Sequence, residues 1–162
     1  MRQRPTPPPR RFDGGFTIIE LLVAVAIVVI LLAVALPTYT SSMRKSRRTD
    51  AFTALTAVQQ AQERWRANNP TYAPQAVLTV ASPNGLGLTA TTANNYYTIA
   101  IQAGPTDTAY TVLATPVAGS TQASDGNCSQ LSVRVAAGNI FYGSGAVGGN
   151  IDESQGNPCW SH

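Results

Sequence analysis

Leu21 to Leu36 form an unbroken apolar run, and a single carboxylate, Glu20, stands at its mouth. Counted from Phe16, the apolar segment reaches roughly 30 Å as a helix, the thickness of a bilayer's hydrocarbon core. It can therefore cross a membrane. A charge at the edge of such a segment costs a few kcal/mol to insert, so Glu20 calls for a partner or a task. Pro37 falls at the end of the run and removes a helical hydrogen bond, which predicts a kink or local loosening there.

The segment divides the charges. Of the 11 basic residues, Arg2, Arg4, Arg10 and Arg11 precede Gly15, and Arg44, Lys45, Arg47 and Arg48 follow the run. From Thr49 onward only Arg64, Arg66 and Arg134 remain, against Asp50, Glu63, Asp107, Asp125, Asp152 and Glu153. The basic total thus conceals a mildly acidic C-terminal part. Four prolines (Pro5, Pro7, Pro8, Pro9) make residues 1–15 an extended leader with no helix.

Beyond the run, Phe52, Leu55, Val58, Gln62 and Trp65 recur at spacings of three and four, the stripe of an amphipathic helix. Asn68-Asn69-Pro70 should end it. The chain then turns to Thr, Gly, Asn and Pro with short β-prone runs. Tyr96 to Ala103 and Ala109 to Thr115 read as a hairpin across the connector 104–107. Leu131, Val133 and Val135 alternate with Ser132, Arg134 and Ala136, which predicts a third strand with one buried and one wet face. Gly138-Asn139 turns into a weaker fourth strand, Ile140 to Tyr142, before a glycine-rich tail. The fold class expected is α+β, a long N-terminal helix on an antiparallel sheet of about four strands. Cys128 and Cys159 lack metal-type spacing, so a disulfide formed in an oxidising compartment is the economical reading, with two unpaired thiols as its alternative.

Gly15 before Phe16, Glu20 as the fifth residue after that junction, the apolar helix with Pro37, and the cysteine pair ending in Cys159-Trp160 together resemble the type IV pilin family. Tyr96-Tyr97-Thr98 and Ala109-Tyr110-Thr111 look like its minor-pilin subgroup, which includes DNA-uptake receptor pilins. The resemblance implies a non-enzymatic filament subunit, inserted in the bacterial inner membrane as a single-pass prepilin and then carried into an extracellular pilus. It implies cleavage between Gly15 and Phe16 by a prepilin peptidase, N-methylation of Phe16 by a methyltransferase, and pairing of Glu20 with the Phe16 amine of a neighbouring subunit. Other pilin subunits and the inner-membrane assembly machinery are the implied partners. The implied layout is a removed leader (1–15), a transmembrane and filament-core helix (16–43) that loosens at Pro37, an amphipathic half (44–70) and a globular domain (71–162) with a disulfide-bounded loop. The long leader and Asp13 beside the cut depart from the family pattern.

Competing readings exist at several points. Ala33-Val34-Ala35 has the form of an ordinary signal cleavage site, but a charge at Glu20 argues against an export h-region. Residues Arg44 to Arg48 suit anionic headgroups better than DNA. Three cations against six acids make nucleic acid the less favoured partner, so a structural subunit comes first. An adhesive or DNA-binding pilin and a type II secretion pseudopilin are the alternatives. Trp65 and Phe52 are expected in the core, and Trp160 over the disulfide. An adjacent acid pair, Asp152-Glu153, is weak support for calcium. The sole histidine, His162, is the last residue and no phosphate loop or metal cluster is visible, so neither catalysis nor a cofactor is expected.

Overall fold

The computed structural model describes residues 15–160. The leader's prolines, Arg10, Arg11 and Asp13, together with His162, lie outside the described residues. Two compact units divide at Thr40 and Ser41.

In the first unit, helix α1 (Ile18–Arg66) begins on Thr17 and continues through Pro37 into the second unit. Helical structure is kept where loosening is expected. Nearby, the Thr38 hydroxyl donates to the Val34 carbonyl at 3.2 Å and that of Thr40 to the Pro37 carbonyl at 3.0 Å. Residues 15–42 are exposed throughout. Among the described residues this is the one helix long and apolar enough to span a membrane.

The second unit encloses the core. Ala51, Leu55, Val58 and Gln62 on α1 are buried, as their spacing of four, three and four demands for one helix face. Each large apolar side chain so buried contributes about 1.5–3 kcal/mol. The last turn is closed by side chains, with Asn69 Nδ2 donating to the Trp65 carbonyl at 2.9 Å and Asn68 Nδ2 to that of Arg64 at 3.4 Å. These amides satisfy carbonyls that a helix end leaves without partners.

Four strands follow as an antiparallel meander in chain order, β1 (Tyr97–Ile101), β2 (Ala109–Pro116), β3 (Gln130–Ala136) and β4 (Asn139–Gly145). Alternation in β1 and β2 sends Ile99, Tyr110, Val112 and Ala114 to the core beneath the helix. Two expectations need correction. The β3–β4 turn is Ala137-Gly138, one residue earlier than read, with both residues at positive φ, the geometry that suits a two-residue hairpin. The first half of β3 is also buried on both faces: Ser132, read as wet, is 1% exposed, whereas Arg134 and Ala136 on that face are half-buried. The cause is the C-terminal segment. A Cβ on Gly143 would overlap Ile151 and Ser132, and one on Gly145 would meet the Asn150 backbone. Glycine lets the tail lie flat on the sheet there, so β4 runs to Gly145 and not to Tyr142.

The disulfide is formed, Cys128 to Cys159, with Cα atoms 5.3 Å apart. It ties the tail to the β2–β3 connection.

Candidate functional site

The first candidate region is the start of α1. Phe16 is 88% exposed, and a side chain placed on Gly15 would meet nothing among the described residues. The Thr17 carbonyl accepts the Leu21 N–H at 3.2 Å, so Thr17 is the N-cap. Its hydroxyl accepts from the Glu20 N–H at 3.3 Å, while Glu20 Oε2 accepts from the Thr17 N–H at 3.1 Å and from the Thr17 hydroxyl at 3.0 Å. This is a capping box, in which two helix-end donors are satisfied reciprocally. The Thr-x-x-Glu spacing carries that signal in the sequence, where Glu20 stands out chiefly as a charge in need of a cation.

The second region is the basic cluster. Arg48 makes a bidentate pair with Asp125, at 2.7 and 3.0 Å, with both side chains largely buried. Arg47 donates to Thr121 Oγ1 and lies over the Tyr96 ring, 5.1 Å from its centre. Buried Gln122 donates to the Arg44 carbonyl at 3.2 Å and to the Tyr97 hydroxyl at 2.8 Å. Burial raises the Tyr97 phenol above its ordinary range. Half of the cluster read as facing headgroups therefore holds the β2–β3 connection onto the helix. Sequence could not show this, because residues 44–48 and 121–125 meet only through the fold.

The third region is the far end of α1. Arg66 Nε donates to the Asp107 carbonyl at 2.9 Å and Nη1 to the Asn69 carbonyl at 2.8 Å, contacts that fix the guanidinium without neutralising it. Arg64 is exposed. A groove of about 430 Å³ runs beside it, between Arg64, Trp65, Asn68 and Asn69 and a tight loop holding Ser82 and Pro83. Trp65 and Phe52 pack against the core as half-buried residues.

At the C-terminal side, Trp160 stacks on Phe52 with ring centres 4.6 Å apart, tilts against Tyr142 at 4.8 Å, and donates from Nε1 to the Gly143 carbonyl at 2.8 Å. Its ring partners are thus aromatic. The adjacent acids are divided, since Glu153 pairs with Arg134 while Asp152 accepts from the Ser154 N–H at 2.9 Å, a bond that lowers its pKa. Among the described residues no group of three or more His, Cys, Asp or Glu could hold a metal.

A family model described as "Type IV minor pilin ComP, DNA uptake sequence receptor" matches residues 37–132, and one described as "Prokaryotic N-terminal methylation motif" matches residues 10–36. No match was found among curated proteins. The first match covers more than half of the chain, including α1 beyond Pro37, β1, β2 and the start of β3. With the long apolar helix, the four-stranded antiparallel sheet and the disulfide, it makes this a component of a type IV pilus and not an enzyme. The chain belongs to the ComP family of type IV minor pilins.

Proposed function

We propose that this minor pilin is a DNA receptor displayed on a type IV pilus. The match of its globular unit to the DNA-uptake receptor family carries the reading. The acidic tally that disfavours nucleic acid begins at Thr49 and so leaves out Arg44, Lys45, Arg47 and Arg48, which belong to the same compact unit as the sheet. Within that unit the ion pairs Arg48–Asp125 and Arg134–Glu153 cancel. Arg44, Lys45, Arg47, Arg64 and Arg66 then stand against Asp50, Glu63, Asp107 and Asp152. DNA binding depends on where cations lie more than on the total. Binding of labelled duplex DNA by the purified chain should therefore weaken steeply as salt rises. Salt-independent or absent binding would remove the receptor reading.

Biogenesis follows the methylation motif. The peptidase cuts between Gly15 and Phe16 and the new amine is methylated. Among the described residues a side chain at position 15 would meet no atom, so the glycine there serves close approach by a processing enzyme. In the filament, Glu20 pairs with the Phe16 amine of a neighbour, and Pro37 marks where the packed helix loosens. Glu20→Ala should leave cleavage intact while lowering incorporation into sheared filaments. Normal incorporation would exclude the pairing.

A further inference from the structure

Resting on the receptor reading, we infer that duplex DNA is held at the far end of α1, by Arg64 and Arg66 with Asn68, Asn69 and the loop around Ser82. Two cationic segments compete for that role. In the first, Arg47 and Arg48 are engaged by Thr121, Tyr96 and Asp125, and Arg44 is half-buried beneath the same connection. Lys45 is the exposed cation left there, and it closely follows the apolar segment that enters a bilayer or a bundle of like helices. Arg64 lies roughly 28 Å further along the helix axis at 1.5 Å per residue, clear of that crowding.

The chemistry at this end fits a duplex. The Arg64 side chain has no hydrogen-bond or ionic partner among the described residues. Arg66 is held by two carbonyls, which leaves Nη2 to offer an already oriented donor to a phosphate. Asn68 and Asn69 use their Nδ2 groups on helix carbonyls, so each has an Oδ1 acceptor left for a base amino group. The opposing wall is preformed. Leu86 N–H bonds to the Val77 carbonyl at 3.0 Å and Gly87 N–H to that of Val80 at 2.8 Å, and a side chain on Gly85 would strike both of those carbonyl oxygens. Trp65 is half-buried against the core, so the groove lacks the exposed stacking platform that a single strand would use. Glu63 and Asp107 are the nearby acids, with Glu63 accepting from the Tyr72 hydroxyl at 3.1 Å and Asp107 from that of Thr108 at 3.4 Å.

The test uses the full chain in neutral detergent micelles and short fluorescein-labelled duplexes of random sequence, followed by anisotropy across a salt series. Arg64→Gln with Arg66→Gln should weaken binding about tenfold or more and flatten the plot of log K against log salt by about one unit per lost phosphate contact. Arg64→Lys, which keeps the charge, should retain most of the affinity. Arg44→Gln with Lys45→Gln should bind as the unaltered chain does. An unchanged far-ultraviolet dichroism spectrum and melting temperature show that each variant is folded. Because Arg66 also holds two carbonyls, Arg64→Gln alone, at an exposed position, serves if the double variant unfolds. Loss of binding in the Arg44/Lys45 variant with none in the Arg64 variants would overturn this assignment and leave the receptor reading intact. Failure of the unaltered chain to bind any duplex would overturn both.

Discussion

Gln62 offers a sharp test of how the globular unit is held together. It is fully buried on α1, and its amide grips the backbone of Ala73 from both sides, Nε2 donating to the carbonyl at 2.9 Å and Oε1 accepting from the N–H at 2.7 Å. Ala73 is itself 0% exposed, so water does not stand ready to replace either bond. In Gln62→Leu the volume is nearly kept, but a buried donor and a buried acceptor are orphaned at about 1–3 kcal/mol each, for a total of roughly 2–6 kcal/mol. Gln62→Glu separates the two bonds. A carboxylate still accepts from the Ala73 N–H but repels its carbonyl, whereas a protonated acid can donate to it. The carboxyl pKa should therefore be raised in the folded state. For a raised pKa, the contribution to stability is present below the unfolded value, near 4.3, and is lost as pH rises through the folded one. The Glu variant should be weaker than the unaltered chain at neutral pH and close much of that gap as the pH falls towards about 4. Urea unfolding of the full chain in micelles, followed by tryptophan fluorescence, measures all three proteins. A Leu variant within about 0.5 kcal/mol of the unaltered chain, the scatter of ordinary surface changes, would refute the argument.

Cys128→Ser should destabilise the globular unit by about 3–4 kcal/mol, the loop-closure value for a separation of 31 residues, while leaving leader cleavage unaffected. Thermal unfolding with and without reductant checks it, since reductant should change the unaltered chain and not the variant. Tyr97 and Tyr110 are both raised, chiefly by burial. Their contribution to stability is full below the unfolded tyrosine value of about 10 and is lost as pH rises beyond it. Alkaline unfolding should therefore begin near that pH and be shallower in Tyr110→Phe, since the Tyr110 hydroxyl has no hydrogen-bond partner among the described residues to lose.

The parts of the fold written in local periodicity were legible in the chain. The stripe Leu55, Val58 and Gln62 and the alternation through Leu131, Val133 and Val135 each named a buried face, because one repeat of 3.6 or 2 residues fixes which side chains can point inward. Gly143 and Gly145 were opaque for the opposite reason. Glycine has weak strand preference, and its value there comes from a tail that approaches only after folding. Ser132 looked wet for want of the same tail. The Cys128–Cys159 pair could be seen as a motif, yet the proposed nucleic-acid face could not. A count of charges cannot tell Arg48, cancelled by Asp125, from Arg66, whose partners are neutral carbonyls. Geometry separates them.

The reciprocal bonds between Thr17 and Glu20 bear on whether a filament built from such subunits can be dismantled. A carboxylate with no partner would gain the full strength of an ion pair on assembly, and leaving the filament would be correspondingly slow. Here it already holds two donors within its own chain before any neighbour arrives. Under the proposed pairing, joining the filament exchanges those donors for an amine, so the driving force is only the difference between two sets of bonds. Both sets are bonds to an ionised carboxylate, worth about 1.5–3 kcal/mol each, so the difference between them is small. A step so nearly balanced can run in both directions.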